Sequence, residues 1–332
     1  MDDHDGQGPD RLAARFEAER PRLRAVALRM LGSPGEADDA VQEAWLRLGR
    51  SGGAGIDNLA AWLTTVVSRV CLDVLRARRS RREEPLGAGA GGGHEPGADH
   101  GPGPGHVPED EVVLAESIGL ALLVVLDTLS PAERVAFVLH DLFAVPFEDV
   151  APIVGRTPVA AKKLASRARQ RVRGTPALPA PDLARRRRLV DAFLAASRRG
   201  DVGALVAVLD PDVVRRADPA TLPAGAAAVL RGARAVAEET RTNVARARFA
   251  VPALVDGTVG LVVAPAGHLV AVLVLTVDDD AERITGIDVV ADPARLAGLE
   301  LAVVDPPTSP APDRPEPPEP PEPPEPPEPP AG

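Results

Sequence analysis

Two stretches of the chain space their apolar residues with the period of an α-helix. In the first, residues 11–82, Val41, Ala44, Trp45 and Leu48 fall on one face of a helix. Ser33 is placed to cap its start and Pro34 to occupy its first position, while Glu36, Asp38 and Asp39 suit the positive end of the helix dipole. The glycines at 49, 52, 53 and 55 end it. A further helix is predicted from about Leu59 to Arg79. Trp62, Leu63, Val66, Val70 and Leu72 pack inward from it, and Arg69, Arg76, Arg78 and Arg79 project outward. In the second stretch, residues 109–173, the apolar run Ile118–Leu126 reads as core. Ser130-Pro-Ala-Glu133 is a capping box that opens a helix through about Leu142. Residues 147–154 form a short helix, in which Pro152 is expected to bend the axis or remove one bond. Gly155 supplies a turn, and Thr157 and Pro158 open a helix to Val172. A short helix, a glycine turn and a capped basic helix make the helix-turn-helix pattern.

Between and beyond these stretches the pattern changes. Residues 83–108 are Gly, Pro and His with almost nothing apolar, the composition of a flexible linker. Residues 174–182 read as a shorter, stiffer connection. Residues 183–304 begin helical and turn to strand-like runs at 246–255, 259–264, 269–277 and 283–290. From 305 the chain is proline-rich and ends in Pro-Glu-Pro repeats, a disordered acidic tail of polyproline II character. The fold class expected is therefore multidomain: two all-α domains, then an α+β domain, then the tail.

Composition alters this picture in one respect. The net charge is −10 over 332 residues, which by itself argues against a nucleic-acid binder. The distribution reverses that inference. Residues 69–82 carry six Arg and one acid, Asp73, and residues 156–173 carry seven Lys or Arg and no acid. Two basic stretches in an acidic chain point to two local DNA contacts. Asp38, Asp39, Gln42 and Glu43 lie mostly off the apolar stripe of their helix and form an acidic, hydrogen-bonding surface. Cys71 is the single cysteine, which leaves no internal disulfide and no cysteine-based zinc site. No cofactor or metal is expected; His94, His100 and His106 recur in the linker without an ordered frame. With no basic leader and no apolar run of about 20 residues, a cytoplasmic location is expected.

The motifs themselves carry a resemblance. Leu31-Gly-Ser-Pro-Gly-Glu-Ala-Asp-Asp-Ala-Val-Gln-Glu-Ala-Trp-Leu-Arg-Leu48 resembles region 2 of the sigma-70 family, and residues 60–79 resemble its continuation. Leu129-Ser-Pro-Ala-Glu-Arg134 and Phe147-Glu-Asp-Val-Ala-Pro-Ile-Val-Gly155, with the helix after them, resemble region 4. A linker stands where larger sigma factors carry an intervening domain, as in the extracytoplasmic-function (ECF) group. The resemblance implies that residues 11–82 bind core RNA polymerase and the −10 element, and that residues 109–173 bind the −35 element. It places Asp38, Asp39, Gln42, Glu43 and Trp45 on the face that meets the clamp helices of the polymerase largest subunit. Trp62, Arg69, Asp73, Arg76 and Arg79 would meet the −10 element. Lys162, Lys163, Ser166 and Arg167 would enter the major groove at −35, and Arg169, Arg171 and Arg173 would touch phosphate. Core RNA polymerase and promoter DNA are the partners implied, with no membrane partner; a separate anti-sigma factor is neither required nor excluded.

Residues 183–304 resemble the SnoaL-like cone fold, also called nuclear transport factor 2-like, whose opening helix pair residues 188–214 fit and which a subgroup of these sigma factors carries as a fused regulatory domain. Asp292-Pro-Ala-Arg-Leu296 approximates that subgroup's Asn-Pro-Asp-Lys-Leu, so Asp292, Pro293, Arg295 and Leu296 form the expected regulatory segment. Asp218-Pro-Ala-Thr-Leu-Pro-Ala-Gly225 stands in the place of its Asp-Gly-Gly-Gly-Lys motif, and Glu84-Pro-Leu86 in that of its linker motif. Two other readings stay open. One is a helix-turn-helix regulator with a ligand-sensing domain. The other is a cone-fold enzyme fused to a DNA-binding module, for which His268 and Asp288 are the candidate acid–base pair. No catalytic residue is assigned on the preferred reading.

Overall fold

The computed structural model describes residues 9–51, 55–83, 119–219, 222, 227–278, 280 and 282–305. The predicted linker, the Glu84-Pro-Leu86 remnant, the three linker histidines and the proline-rich tail beyond Asp305 lie outside the described residues. The first unit is three helices: α1 (Pro9–Leu31), α2 (Pro34–Ser51) and α3 (Leu59–Glu83). The capping expected at Ser33 is present, since its Oγ accepts from the Glu36 amide at 3.4 Å. Ala37, Ala40, Val41, Ala44 and Leu48 form the buried face of α2. Trp45 is half-buried, its ring 4.8 Å from that of Phe16 on α1.

The second unit is α4 (Leu120–Thr128), α5 (Pro131–Phe137), a π-helical turn (Val138–Leu142), α6 (Phe147–Val154) and α7 (Pro158–Arg173). Every residue of α4 from Leu120 to Leu126 is buried. A helix that is apolar all round needs partners on every side. One fully buried Leu there contributes about 1.5–3 kcal/mol, so Leu123→Ala is the single change best placed to loosen this core. The capping box at Ser130 closes in both directions. Pro152 does not stop α6; Gly155, in the left-handed conformation (φ 67°), does. Thr157 caps α7, its Oγ1 accepting from the Ala160 amide at 3.3 Å.

The third unit opens with α8 (Ala180–Arg199) and α9 (Val202–Val208). Where the sequence suggested helix through 214, the chain turns to strand at β1 (Leu209–Ala217), because Pro211 removes an amide that a helix would need. β2 (Val229–Arg231), α10 (Ala233–Thr242) and α11 (Val244–Ala247) follow; residues 246–249, expected as strand, close α11 instead. Then come β3 (Ala250–Val255), β4 (Thr258–Val263), β5 (Ala271–Asp278), β6 (Arg283–Val290), α12 (Pro293–Ala297) and β7 (Leu301–Ala302). The strands form one sheet ordered β2-β1-β6-β5-β4-β3-β7, antiparallel except between β1 and β6.

The side-chain period of two divides this sheet between two cores. Leu254, Leu261, Val263, Ala271 and Ile287 point to the face covered by α8, α9 and α10. Ala253, Val255, Val262, Ala264 and Val272 point to the opposite face and join the core shared by the two helical units. Strands buried on both faces need continuous rather than alternating apolar sequence, which accounts for runs such as Val259-Gly-Leu-Val-Val263. The connection 174–179 runs along the sheet. Ala177 donates its amide to the Gly257 carbonyl at 2.9 Å, and Val303 to the Val172 carbonyl at 2.9 Å. Gly257 has φ 78°, and a Cβ there would lie 2.7 Å from the Thr175 carbonyl oxygen, so the close approach requires glycine.

Candidate nucleic-acid interface

Helix α7 sorts its residues sharply. Ala161, Ala165, Ala168 and Val172 are buried against α5 and α6. Lys162, Lys163, Ser166 and Arg167 are exposed on the opposite side. Val159, in the first turn, is 68% exposed and extends this face. Sequence patterning passed over it because an apolar residue in an amphipathic helix is ordinarily assigned to the core. An exposed Val beside exposed cations suits contact with a thymine methyl in the major groove.

The last turns of α7 behave differently. Arg169 donates through Nε to Asp141 at 2.6 Å, and the Asp141 side chain is 2% exposed. Arg171 donates to Glu133 at 3.3 Å, the capping-box carboxylate of α5. Two of the three cations expected on phosphate are therefore committed to carboxylates within the chain. The π-helical turn explains how: the wider coil carries Asp141 inward, while His140 stacks on Phe147 with ring centroids 3.8 Å apart.

On α3, Arg69, Asp73, Arg76 and Arg79 are exposed and Trp62 is half-buried. Asp73 and Arg76 pair across one turn at 3.6 Å. Arg69 donates to the Pro152 carbonyl of α6 at 3.4 Å, so the helix-turn-helix unit sits against this flank of α3. Arg78, expected to project outward, instead points back. It donates to the Leu31 carbonyl at 3.0 Å and pairs with Glu36, which ties α3 to the start of α2.

On α2, Asp38, Asp39 and Gln42 are exposed and Glu43 is partly so. Asp38 pairs with Arg24 at 2.7 Å, and Glu43 with Arg47 at 2.8 Å and Arg50 at 3.3 Å. The hydrogen bond from Arg47 holds the Glu43 carboxyl below the usual carboxylate range. Leu46 is 50% exposed within this acidic face, four residues beyond Gln42, an apolar contact that charge patterning alone did not mark.

In the third unit the structure joins two segments that the sequence separates by 77 residues. Asp218 accepts from the amides of Ala291 at 2.9 Å and Asp292 at 3.1 Å, and pairs with the Arg295 guanidinium. The two amides hold its carboxyl below the ordinary range. Asp292 caps α12 by accepting from the Arg295 amide at 2.9 Å, Pro293 is exposed, and Leu296 packs against the core shared with the helical units. His268 and Asp288 do not come together as an acid–base pair. His268 is exposed at the end of a 3₁₀ turn, while Asp288 pairs with Arg216 at 3.7 Å. Among the described residues no cluster of His, Cys, Asp and Glu fits a metal ion, and no helix is long and apolar enough to cross a membrane.

Comparison with known proteins bears on the same helices. Residues 15–81 match the family model for sigma-70 region 2, and residues 119–172 that for sigma-70 region 4. The probable ECF RNA polymerase sigma factor SigI of Mycobacterium tuberculosis is 37% identical over 209 residues, covering 63% of this chain and 70% of the relative. The ECF RNA polymerase sigma factor SigJ of the same organism is 45% identical over 205 residues, covering 61% of this chain and 64% of the relative. A crystal structure of SigJ is 31% identical and superposes with a TM-score of 0.40, covering 86% of this chain and 98% of the other. With both conserved regions matched in order on α1–α3 and α4–α7, and with SigI matched across more than two thirds of its length, the chain belongs to the extracytoplasmic-function group of sigma-70 RNA polymerase sigma factors.

Proposed function

We propose that the exposed faces of α2, α3 and α7 divide the work of promoter recognition in this sigma factor. Asp38, Asp39, Gln42 and Glu43, with Leu46 between turns and Trp45 bracing the helix from behind, bind core RNA polymerase. Arg69, Asp73, Arg76, Arg79 and Trp62 meet the −10 element, where cations track the backbone and an aromatic ring supports a displaced base. Lys162, Lys163, Ser166 and Arg167, with Val159, read the −35 element in the major groove. The observation that carries this reading is on α7. Each residue expected to read bases is exposed, and the residues one step around the helix are buried alanines. Residues 11–82 and 109–173 then act as regions 2 and 4, joined by the 83–108 linker. A helix-turn-helix regulator that never touches polymerase leaves the region-2 match unexplained.

Residues 183–304 are proposed to be a SnoaL-like cone domain that tunes recruitment. The opening helix pair, the single sheet and the helices covering one of its faces support this assignment. Two contacts support a regulatory role: the second face of the sheet joins the sigma-side core, and Leu296 of the 292–296 segment packs there too. The packing of α6 against α3 through Arg69 holds regions 2 and 4 together, so engagement of both promoter elements requires their separation. Run-off transcription with core polymerase tests the division of labour. Lys163→Ala/Arg167→Ala should weaken duplex −35 binding, and Arg76→Ala/Arg79→Ala should slow opening, read by permanganate reactivity of thymines near −10. Equal opening kinetics in wild type and the region-2 variant would refute the assignment of α3.

A further inference from the structure

The face of the sheet turned away from the sigma-side core encloses a cavity of about 620 Å³ between α8, α10, α11 and strands β1, β4, β5 and β6. That lies within the range of about 300–1,000 Å³ typical of small-molecule pockets. The space exists because small residues stand where large ones would fill it: Ala217, Ala247, Ala250, Ala271 and Ala291 line it. The remaining wall is largely apolar, with Phe193, Leu194, Leu261, Val263, Leu273 and Ile287. Asp288 and Arg216 alternate away from it along β6 and β1, so among the described residues the charged groups reaching the space are Arg215, Glu239 and Arg246.

The chemistry of the polar end is specific. Arg215, 4% exposed, donates through Nε to Glu239 at 2.8 Å and pairs with it a second time through Nη2. Its Nη1 donates to the carbonyls of Ala227 at 3.2 Å and Ala228 at 3.4 Å. Arg246 is exposed and already engaged within the chain, and the neutral lining donors bond back to the chain as well. Ser197 Oγ donates to the Phe193 carbonyl at 2.7 Å, Thr240 Oγ1 to Val236 at 2.8 Å, and Asn243 Nδ2 to the Glu239 carbonyl at 3.2 Å. What this end offers a guest is therefore acceptor capacity: the outer lone pairs of the Glu239 carboxylate, whose side chain is 29% exposed, and the Ser197 and Thr240 oxygens. Because the Arg215–Glu239 pair is already neutralised, an anion must compete with Glu239 and a cation meets Arg215.

We propose that this cavity is a binding site for an uncharged, hydrophobic small molecule that carries a hydrogen-bond donor at one end, the donor seated on Glu239 and the apolar body against α8 and β4–β6. The probe that tests it is N-phenyl-1-naphthylamine, an uncharged aromatic with one N–H, titrated into the purified full chain without polymerase. The result therefore does not depend on promoter recognition. Saturable one-site binding with blue-shifted emission is expected, displaced by 1-decanol at least about tenfold more effectively than by decanoate, since a buried charge without its own partner is disfavoured. Ala247→Phe and Ala271→Leu each fill part of the space and should weaken probe binding about tenfold or more, a difference of 1.4 kcal/mol. Circular dichroism identifies which variants are folded, and either one suffices. Glu239→Gln leaves the Arg215 charge uncompensated and should turn the preference toward decanoate. Probe affinity unchanged in the folded cavity-filling variants, or decanoate displacing the probe as well as decanol in the wild type, would overturn the proposal.

Discussion

Two arginines two residues apart on α7 should fail in opposite ways. Arg167 is exposed on the face proposed to read DNA, whereas Arg169 faces the Asp141 carboxylate at 2.6 Å. Replacing Arg167 by Ala removes nothing from the fold, so stability should stay within about 0.5 kcal/mol. Duplex −35 affinity should fall by about 1–3 kcal/mol, or roughly 5- to 150-fold. Replacing Arg169 by Ala withdraws the cation from a carboxylate that is 2% exposed. Breaking a buried ion pair on one side costs about 3–5 kcal/mol. Arg169 itself is 31% exposed, so water can enter the vacated position, and a value near the lower end, about 3 kcal/mol, is expected. For a structure of this size that lowers the unfolding midpoint by roughly 4–6 °C. Thermal unfolding by circular dichroism and fluorescence anisotropy on a labelled −35 duplex, run on both variants at several salt concentrations, separate the cases. If Arg169→Ala keeps the wild-type midpoint and loses as much affinity as Arg167→Ala, the ion pair does not support the helix and Arg169 belongs with the DNA-contacting residues.

Other expectations follow from the same structure. Asp39→Arg/Glu43→Arg should remain folded, since the pairs lost are solvent-screened surface ones, and should no longer co-purify with core polymerase; unchanged co-purification would contradict the role of α2. Burial pushes the Cys71 thiol up to about 12, so it should resist alkylation in the folded chain. A raised acid pKa stabilises the fold fully below the unfolded value near 9, and that contribution should drain away as pH rises from about 9 through 12. Cys71→Ala should remove this alkaline slope, and a slope that persists would assign it to other groups. Asp218 carries a lowered pKa, so its contribution should be present above about pH 4 and be lost as pH falls through the lower folded value. Asp218→Asn should flatten that part of an acid unfolding curve and speed amide exchange at Ala291 and Asp292; unchanged exchange at those amides would refute the anchoring role. Stopping the chain at 183 uncovers the apolar surface of α4 that the sheet covers, so this truncation should bind a hydrophobic dye and change transcription several-fold, whereas stopping at 305 should leave activity intact or raise it. Equal transcription by all three chains would remove the regulatory reading of the C-terminal domain.

The elements that local chemistry dictates were legible without coordinates. The caps at Ser33, Ser130 and Thr157, the stop at Gly155 and the buried faces of α2 and α7 rest on contacts within a few residues, which is the range over which spacing and side-chain type decide the outcome. Four of the strands were legible for the same reason, as apolar runs bounded by turn residues. Which groups meet across the chain was not legible. An arginine reads as a surface cation in any sequence, and only packing turned Arg78 onto Glu36, Arg169 onto Asp141 and Arg215 onto Glu239. Val159 and Leu46 are the converse: apolar residues to which local patterning attached no role and which tertiary placement leaves in solvent. The union of Asp218 with 291–295 and the cavity floored by Arg215 and Glu239 depend on strand order and register, since β1 lies beside β6 despite the 65 residues between the end of one and the start of the other. The helical units and their polar faces are readable from spacing alone, because short-range periodicity sets them. The tertiary structure alone decided which charges are spent inside the molecule and which remain for a partner, because that follows from long-range pairing that no local pattern encodes.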